Sequence, residues 1–165
     1  MKELFVLRHA KSEHGNHALC DHERPLSERG RKHARRMGGY LAENALVPEV
    51  VLCSDSTRTT ETCSILCDSA EMHPKIEFIE QLYLASDSCM LETASQRAME
   101  ADRIMLIGHN PGCEDVLRSL GLGMLEMPTC TLARIGLEIE DWLELTGSCQ
   151  ATLLELTLVR ELDEN

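Results

Sequence analysis

Arg8-His9, Arg58 and His109 are the residues of this chain whose types and placement point to chemistry. Arg8-His9 closes the apolar run Leu4-Phe5-Val6-Leu7, and His109 follows Arg103-Ile104-Met105-Leu106-Ile107-Gly108. Arg58 comes just after Val50-Val51-Leu52-Cys53-Ser54. One Arg-His pair at the end of a strand would pass as a surface pair. Three strand ends of one parallel sheet share an edge, and there these side chains would gather two guanidiniums and two imidazoles in one crevice. The matching ligand is a dianionic tetrahedral group, because arginine forks pair well with phosphate oxygens. One imidazole can then serve as nucleophile while the other donates a hydrogen bond.

The elements that must hold these residues are legible in outline. Runs of four or five apolar residues read as strands buried on both faces of a mostly parallel sheet. Ser27 is a good N-cap for a helix with Ala34, Met37, Leu41 and Ala45 at helical spacing, ending before Pro48. Gly38-Gly39 inside that helix costs roughly 1 kcal/mol per residue against Ala and suggests close packing. Asp55 or Ser56 can start a helix through Leu66, which puts Arg58 in its first turn, where free amides favour an anion. Lys75 to Ile79 reads as a short strand and Gln81-Leu82-Tyr83-Leu84 as a loop. Asp87 or Ser88 starts a helix with Met90, Leu91, Ala94 and Ala98 on one face. Pro111 opens a helix over Cys113 to Leu120. Thr131 to Ile139 and Ala151 to Val159 alternate more and read as antiparallel strands, with Trp142 packing in their connection.

Length and composition narrow the classes. A chain of 165 residues suits one domain, spanning 1–165, with one core. Net charge is −12, which argues against bare nucleic acid as a partner but not against a small cationic pocket. More than half of the 16 Lys and Arg fall in the first 36 residues, whereas the tail from Glu155 to Asn165 is acidic. No apolar run approaches the ~20 residues of a membrane span, and no signal peptide is visible, so a cytoplasmic location is expected. Eight cysteines (Cys20, Cys53, Cys63, Cys67, Cys89, Cys113, Cys130 and Cys149) are therefore expected to be reduced thiols. His14, His17 and His22 fit no metal-ligand spacing and read as solvated loop histidines.

Four motifs occur in order: Leu7-Arg8-His9-Ala10-Lys11-Ser12, Arg24-Pro25-Leu26-Ser27-Glu28-Arg29-Gly30, Ser54-Asp55-Ser56-Thr57-Arg58-Thr59-Thr60-Glu61-Thr62 and Gly108-His109-Asn110-Pro111-Gly112. Together they resemble the histidine phosphatase superfamily, and more narrowly its SixA branch of small phosphohistidine phosphatases. The resemblance implies a phosphoglycerate mutase-like fold: a three-layer α/β/α sandwich, its central sheet mostly parallel with antiparallel C-terminal strands, and no lid domain. It implies that His9 is the nucleophile that becomes transiently phosphorylated. Arg8, Arg58 and His109 would hold the phosphoryl oxygens, and no metal or cofactor would be needed. Asp21 and Arg24, in the loop that should flank the pocket, are candidates for supporting roles.

Departures from relatives bear on substrate. Acid phosphatases of the superfamily typically carry His-Asp in the late motif, with the Asp as proton donor; this chain has His109-Asn110. Phosphoglycerate mutases typically place a Glu after the third strand, where this chain has Glu80-Gln81-Leu82-Tyr83, leaving Glu80, Tyr83 or Asp21 as the possible acid. A phosphohistidine leaves as neutral imidazole once protonated, whereas an alkoxide needs proton donation far more. The expected substrate is therefore a phosphohistidine on a protein, such as a histidine-phosphotransfer domain in signalling. The alternatives are a small-molecule phosphomonoesterase acting on sugar phosphates or nucleotides, and a non-catalytic phosphate-binding module. A Cys/His metalloprotein is a more distant fourth.

Overall fold

The computed structural model describes residues 1–162. Its centre is a six-stranded mixed sheet. The strands are β1 (Lys2–Arg8), β2 (Val50–Ser54), β3 (Lys75–Ile79), β4 (Arg103–Gly108), β5 (Thr131–Leu137) and β6 (Ala151–Leu158), in the order β3-β2-β4-β1-β5-β6. The first four run parallel, and β5 and β6 are antiparallel additions beside β1. Helices α1 (Glu28–Glu43), α2 (Thr57–Ala70), α3 (Asp87–Arg97) and α4 (Gly112–Ser119) complete the layers.

The unbroken apolar runs have a simple cause. Side chains alternate along a strand, and here both faces are covered. Leu4 and Val6 pack with Leu106, Met90, Leu91, Val116 and Leu117 on the α3/α4 side. Phe5 and Leu7 pack with Met105, Met37, Leu41 and Leu66 on the α1/α2 side. Trp142 is buried in the first cluster and donates its indole N–H to the Ala101 carbonyl at 2.6 Å.

Several local expectations are refined. Ser27 caps α1 by accepting from the Gly30 amide at 3.0 Å. The helix stops at Glu43, so Ala45 is not part of its buried face: it is exposed with φ of 54°, and Leu46 is buried instead. Gly38 is where α1 and α2 touch, since a Cβ there would lie 2.6 Å from the Leu66 carbonyl oxygen. Gly39 faces open space, so close packing applies to one of the pair. The segment after β3 is a short 3-10 turn, Glu80–Leu82, rather than plain loop, and α3 starts at Asp87 as expected, with Ser86 before it as the cap. Between β3 and β4 the chain has room for this turn and α3, and among the described residues no lid covers the sheet edge. Cys53, Cys63, Cys67, Cys113 and Cys130 are buried, and all eight cysteines are free thiols. Of the acidic tail, residues 163–165 lie outside the described residues.

Candidate active site

Strand register brings the distant motifs together. Arg8 is paired with Gly108 across the β1–β4 ladder, so His9 and His109 leave the same sheet edge side by side. Their ring centroids are 5.2 Å apart. β2 lies on the other side of β4, with Cys53 opposite Ile107, and delivers Ser54 and the start of α2 to the same place. There Thr59 donates to the Ser54 carbonyl at 2.7 Å, which holds the first turn of α2 against the strand. Arg58 projects from that turn and is almost fully buried. Its Nε donates to His9 Nε2 at 3.3 Å and its Nη2 to His109 Nδ1 at 3.3 Å.

These contacts define both imidazole tautomers. His9 Nδ1 faces the Ala10 carbonyl at 2.6 Å, and a carbonyl can only accept, so Nδ1 carries the proton and Nε2 the lone pair. His109 Nδ1 faces an arginine, which can only donate, so its proton sits on Nε2, 2.9 Å from Ser54 Oγ. Burial is the main reason that His9 is pushed down to about 4, and the positive charge of Arg58, Arg8 and Arg24 adds to it. Burial likewise pushes His109 down to about 3, followed by its neighbours His9 and Arg58. Both rings are therefore neutral near pH 7.

Asp21 is the hub of the rim. Its carboxylate accepts from Arg58 Nη2 at 3.0 Å, from Arg24 Nε at 3.0 Å and from the Tyr83 hydroxyl. Those donors, Tyr83 first, hold it far below the usual carboxylate range and therefore ionised. Arg24 also donates to Ser12 Oγ and to the Glu13 carbonyl, stitching the loop after β1 together. Tyr83 stands edge-on to His109 and to His22, with centroids 5.4 and 4.8 Å away. His22 in turn contacts Asp55 at 2.8 Å, so this histidine supports the rim instead of lying solvated in the loop. His17 is exposed. His14 is exposed too but lines the cleft, with its Nδ1 3.2 Å from Arg24 Nη1, so it also departs from a purely solvated loop histidine. Glu80 is exposed and does not line the cleft.

The result is an open cleft of about 550 Å³, lined by Arg8, His9, Asp21, Arg24, Arg58 and His109, with Lys11, Asn110 and the Pro128-Thr129 segment around them. Among the described residues its cations outnumber its one carboxylate, so it suits an anion although the whole chain is acidic. Arg8 Nη1 donates to the Met127 carbonyl at 3.0 Å, while Arg8 Nε is buried without a partner. Sequence reasoning missed Ser54, Thr62, Leu84 and the segment around Met127 to Thr129. Thr62 accepts from the Ala10 amide at 3.1 Å, behind the nucleophile candidate. Leu84 stands at the cleft edge, 54% exposed, on a backbone with φ of 48°. Among the described residues no group of three His, Cys, Asp or Glu side chains is placed to hold a metal ion.

The family model for the histidine phosphatase superfamily, branch 1, matches residues 4–111, which contain Arg8, His9, Arg58 and His109. The chain belongs to this superfamily. An uncharacterised chloroplastic protein of Arabidopsis thaliana is 30% identical over 152 residues, covering 87% of this chain and 70% of its own. Uncharacterised proteins of Mycobacterium tuberculosis are 30% identical over 105 residues, and the match spans 63% of their length. The solved structure of the protein histidine phosphatase SixA complexed with tungstate superposes with a TM-score of 0.81 at 21% identity, covering 98% of this chain and 99% of that one. A structure described as the phosphohistidine phosphatase SixA of Agrobacterium tumefaciens gives 0.80 at 22%, covering 95% and 97%. A phosphoserine phosphatase of Entamoeba histolytica, solved with phosphoserine, gives 0.65 at 9%, covering 97% and 98%. The fold of this superfamily member is thus the SixA-like, lidless form of the phosphoglycerate mutase-like α/β sandwich.

Proposed function

We propose that this phosphatase removes the phosphoryl group from phosphohistidine on a partner protein, with His9 as the covalent relay. Support comes first from a single atom. His9 Nε2 is unprotonated at neutral pH, is fixed by the Nδ1 contact to Ala10, and lies beside Arg58 in the cleft. It would attack phosphorus in line as the P–N bond of the substrate breaks, and the bond electrons would leave on the substrate imidazole. Arg8 and Arg58 would stabilise the charge that spreads over the phosphoryl oxygens, and the orphaned Arg8 Nε would gain an acceptor. His109 would take up a proton from solvent once the dianion offsets the neighbouring guanidiniums, and would then donate to an oxygen from Nδ1. Water would next attack the phosphorus of phospho-His9, releasing phosphate and restoring the imidazole.

The choice of phosphohistidine over an alkyl phosphoester rests on proton supply. Among the described residues the one carboxyl lining the cleft is Asp21, which Tyr83, Arg58 and Arg24 keep ionised, so it has no proton to give. The Tyr83 hydroxyl proton is committed to Asp21, and burial first, then that residue, raises the Tyr83 pKa. A protonated phosphoimidazole leaves without such help, while an alkoxide does not. The open cleft also admits a side chain presented on a protein surface. The SixA relative that binds tungstate, a tetrahedral oxyanion, is in keeping with this reading.

Phosphate release by the wild type and by His9→Ala, with chelator present, tests the assignment. The substrates are a phosphorylated histidine-phosphotransfer domain and a panel of sugar phosphates and nucleotides. Preference for the phosphoprotein, lost in the variant, is the expected outcome. Faster turnover of sugar phosphates or nucleotides would overturn the substrate assignment, and no turnover of any substrate would point to a phosphate-binding module.

A further inference from the structure

The cleft continues past the catalytic residues. Pro128 and Thr129 line it on one side and also line a neighbouring recess with Arg29, His33 and Arg160. A third recess shares Arg29, His33 and Arg160 and adds Lys32 and Arg36, with Glu28 as its acidic member. Lys11 joins the cleft to this trough. Its carbonyl accepts from the Ser27 amide at 2.9 Å, and Gly30 packs so closely beneath that a Cβ would come within 2.0 Å of the same oxygen. The loop carrying Lys11 therefore lies directly on the start of α1.

Arg29, Lys32, His33 and Arg36 stand at i, i+3, i+4 and i+7, which is one stripe of α1. The opposite stripe, with Ala34, Met37 and Leu41, is core. Folding alone does not favour this arrangement. Like charges at these spacings repel, and cations near a helix N-terminus oppose its dipole. Among the described residues no carboxylate lies within ion-pair distance of Arg29, Lys32 or Arg160. Arg36 donates to the Val159 and Leu162 carbonyls, which holds the turn bearing Arg160 against the helix. The chain as a whole carries −12, so a basic strip leading out of the cleft is a local reversal of its field.

We propose that this strip, with Lys11, Arg29, Lys32 and Arg160 as its charged members, docks an acidic face of the phosphoprotein substrate while its phosphohistidine enters the cleft. The proposal rests on the phosphohistidine reading above and adds the partner's charge. A protein surface fits better than the second phosphate of a small molecule, because the strip runs from Lys11 at the cleft past Arg29 and Lys32 to Arg160, across three adjoining recesses. Such charges at the rim act mainly on encounter rate and on its salt dependence.

The test uses the full chain and Arg29→Glu/Lys32→Glu/Arg160→Glu, with Arg29→Gln/Lys32→Gln/Arg160→Gln as a milder version and Arg118→Glu as a distant control. A labelled peptide with one histidine beside a run of glutamates is the probe, followed by anisotropy without phosphorylation. The same peptide, phosphorylated with phosphoramidate, serves as substrate. The expected result is binding by the wild type that weakens at least tenfold in the Glu variant, weakens less in the Gln variant, and falls steeply with salt. KM for the phosphopeptide should rise in parallel, while turnover of free phosphohistidine stays unchanged and shows that the variant is folded. Equal binding by wild type and Glu variant, or none by either, would overturn the docking surface. So would a variant that raises KM for a sugar bisphosphate and not for the peptide, which would make the strip a second phosphate subsite. If the unphosphorylated peptide binds as expected but its phosphorylated form is never hydrolysed, the phosphohistidine reading fails and the acidic docking surface stands.

Discussion

Acidification is the perturbation that probes the site most quantitatively. His9 is held neutral to about pH 4 by burial first and by Arg58, Arg8 and Arg24 second, with the Ala10 carbonyl pulling the other way. A histidine with an ordinary pKa of about 6.5 would be only about 3% neutral at about pH 5, whereas His9 would be about 90% neutral there. The difference is about 30-fold in competent nucleophile. The assay is an imidazole chemical-shift titration of the free protein, paired with kcat/KM for an aryl phosphate corrected for the substrate's own ionisation. The His9 shifts should hold from neutrality to about pH 5, and the corrected kcat/KM, which also carries the proton that His109 takes up, should not fall until His9 is protonated towards pH 4. The same shift sets a stability trend. The folded-state value lies below the unfolded one, so the contribution is complete above about pH 6.5 and is lost as pH falls towards 4. For His9 alone that loss is on the order of 3 kcal/mol. A His9 midpoint near 6.5, with corrected kcat/KM already collapsing by about pH 5.5, would refute the reasoning.

Other consequences follow from single contacts. Arg58→Lys keeps a charge but cannot reach His9, His109 and Asp21 at once, so kcat/KM should drop about 100- to 1,000-fold with little change in melting temperature. Gly38→Ala forces a methyl against the Leu66 carbonyl and Ser69, and denaturant melts should show about 1–3 kcal/mol of lost stability. Gly39→Ala meets nothing and should be neutral or stabilising by up to about 1 kcal/mol. Activity should survive dialysis against a chelator, since no step assigned to His9, Arg8, Arg58 or His109 uses a metal; loss restored by added metal would contradict that.

What the chain discloses in advance depends on how local the physics is. β1, β2 and β4 are readable because burial on both faces leaves no polar alternation to confuse them. Their carboxyl ends then follow from topology, and with them the meeting of Arg8, His9, Arg58 and His109. Ala45 misleads because it continues the helical period past the point where the helix has ended. Nothing in periodicity marks the left-handed turn that brings Leu46 inward. The rim is opaque for another reason. Asp21 meets Tyr83 across 62 positions and His22 meets Asp55 across 33, and no spacing rule links such pairs. Ser54 stood within a quoted motif, but only the strand register shows that its hydroxyl faces His109 Nε2.

The central claim is that His9 Nε2 carries the phosphoryl group. The measurement is acid-free quenching of the enzyme during turnover of phosphoramidate, followed by mass spectrometry of the peptide bearing His9 and phosphorus NMR to identify the nitrogen. The account predicts a transient phosphoryl group on Nε2 of His9, absent in His9→Ala. Phosphorus on Nδ1 or on His109, or steady turnover with no phosphoenzyme at any time, would contradict it.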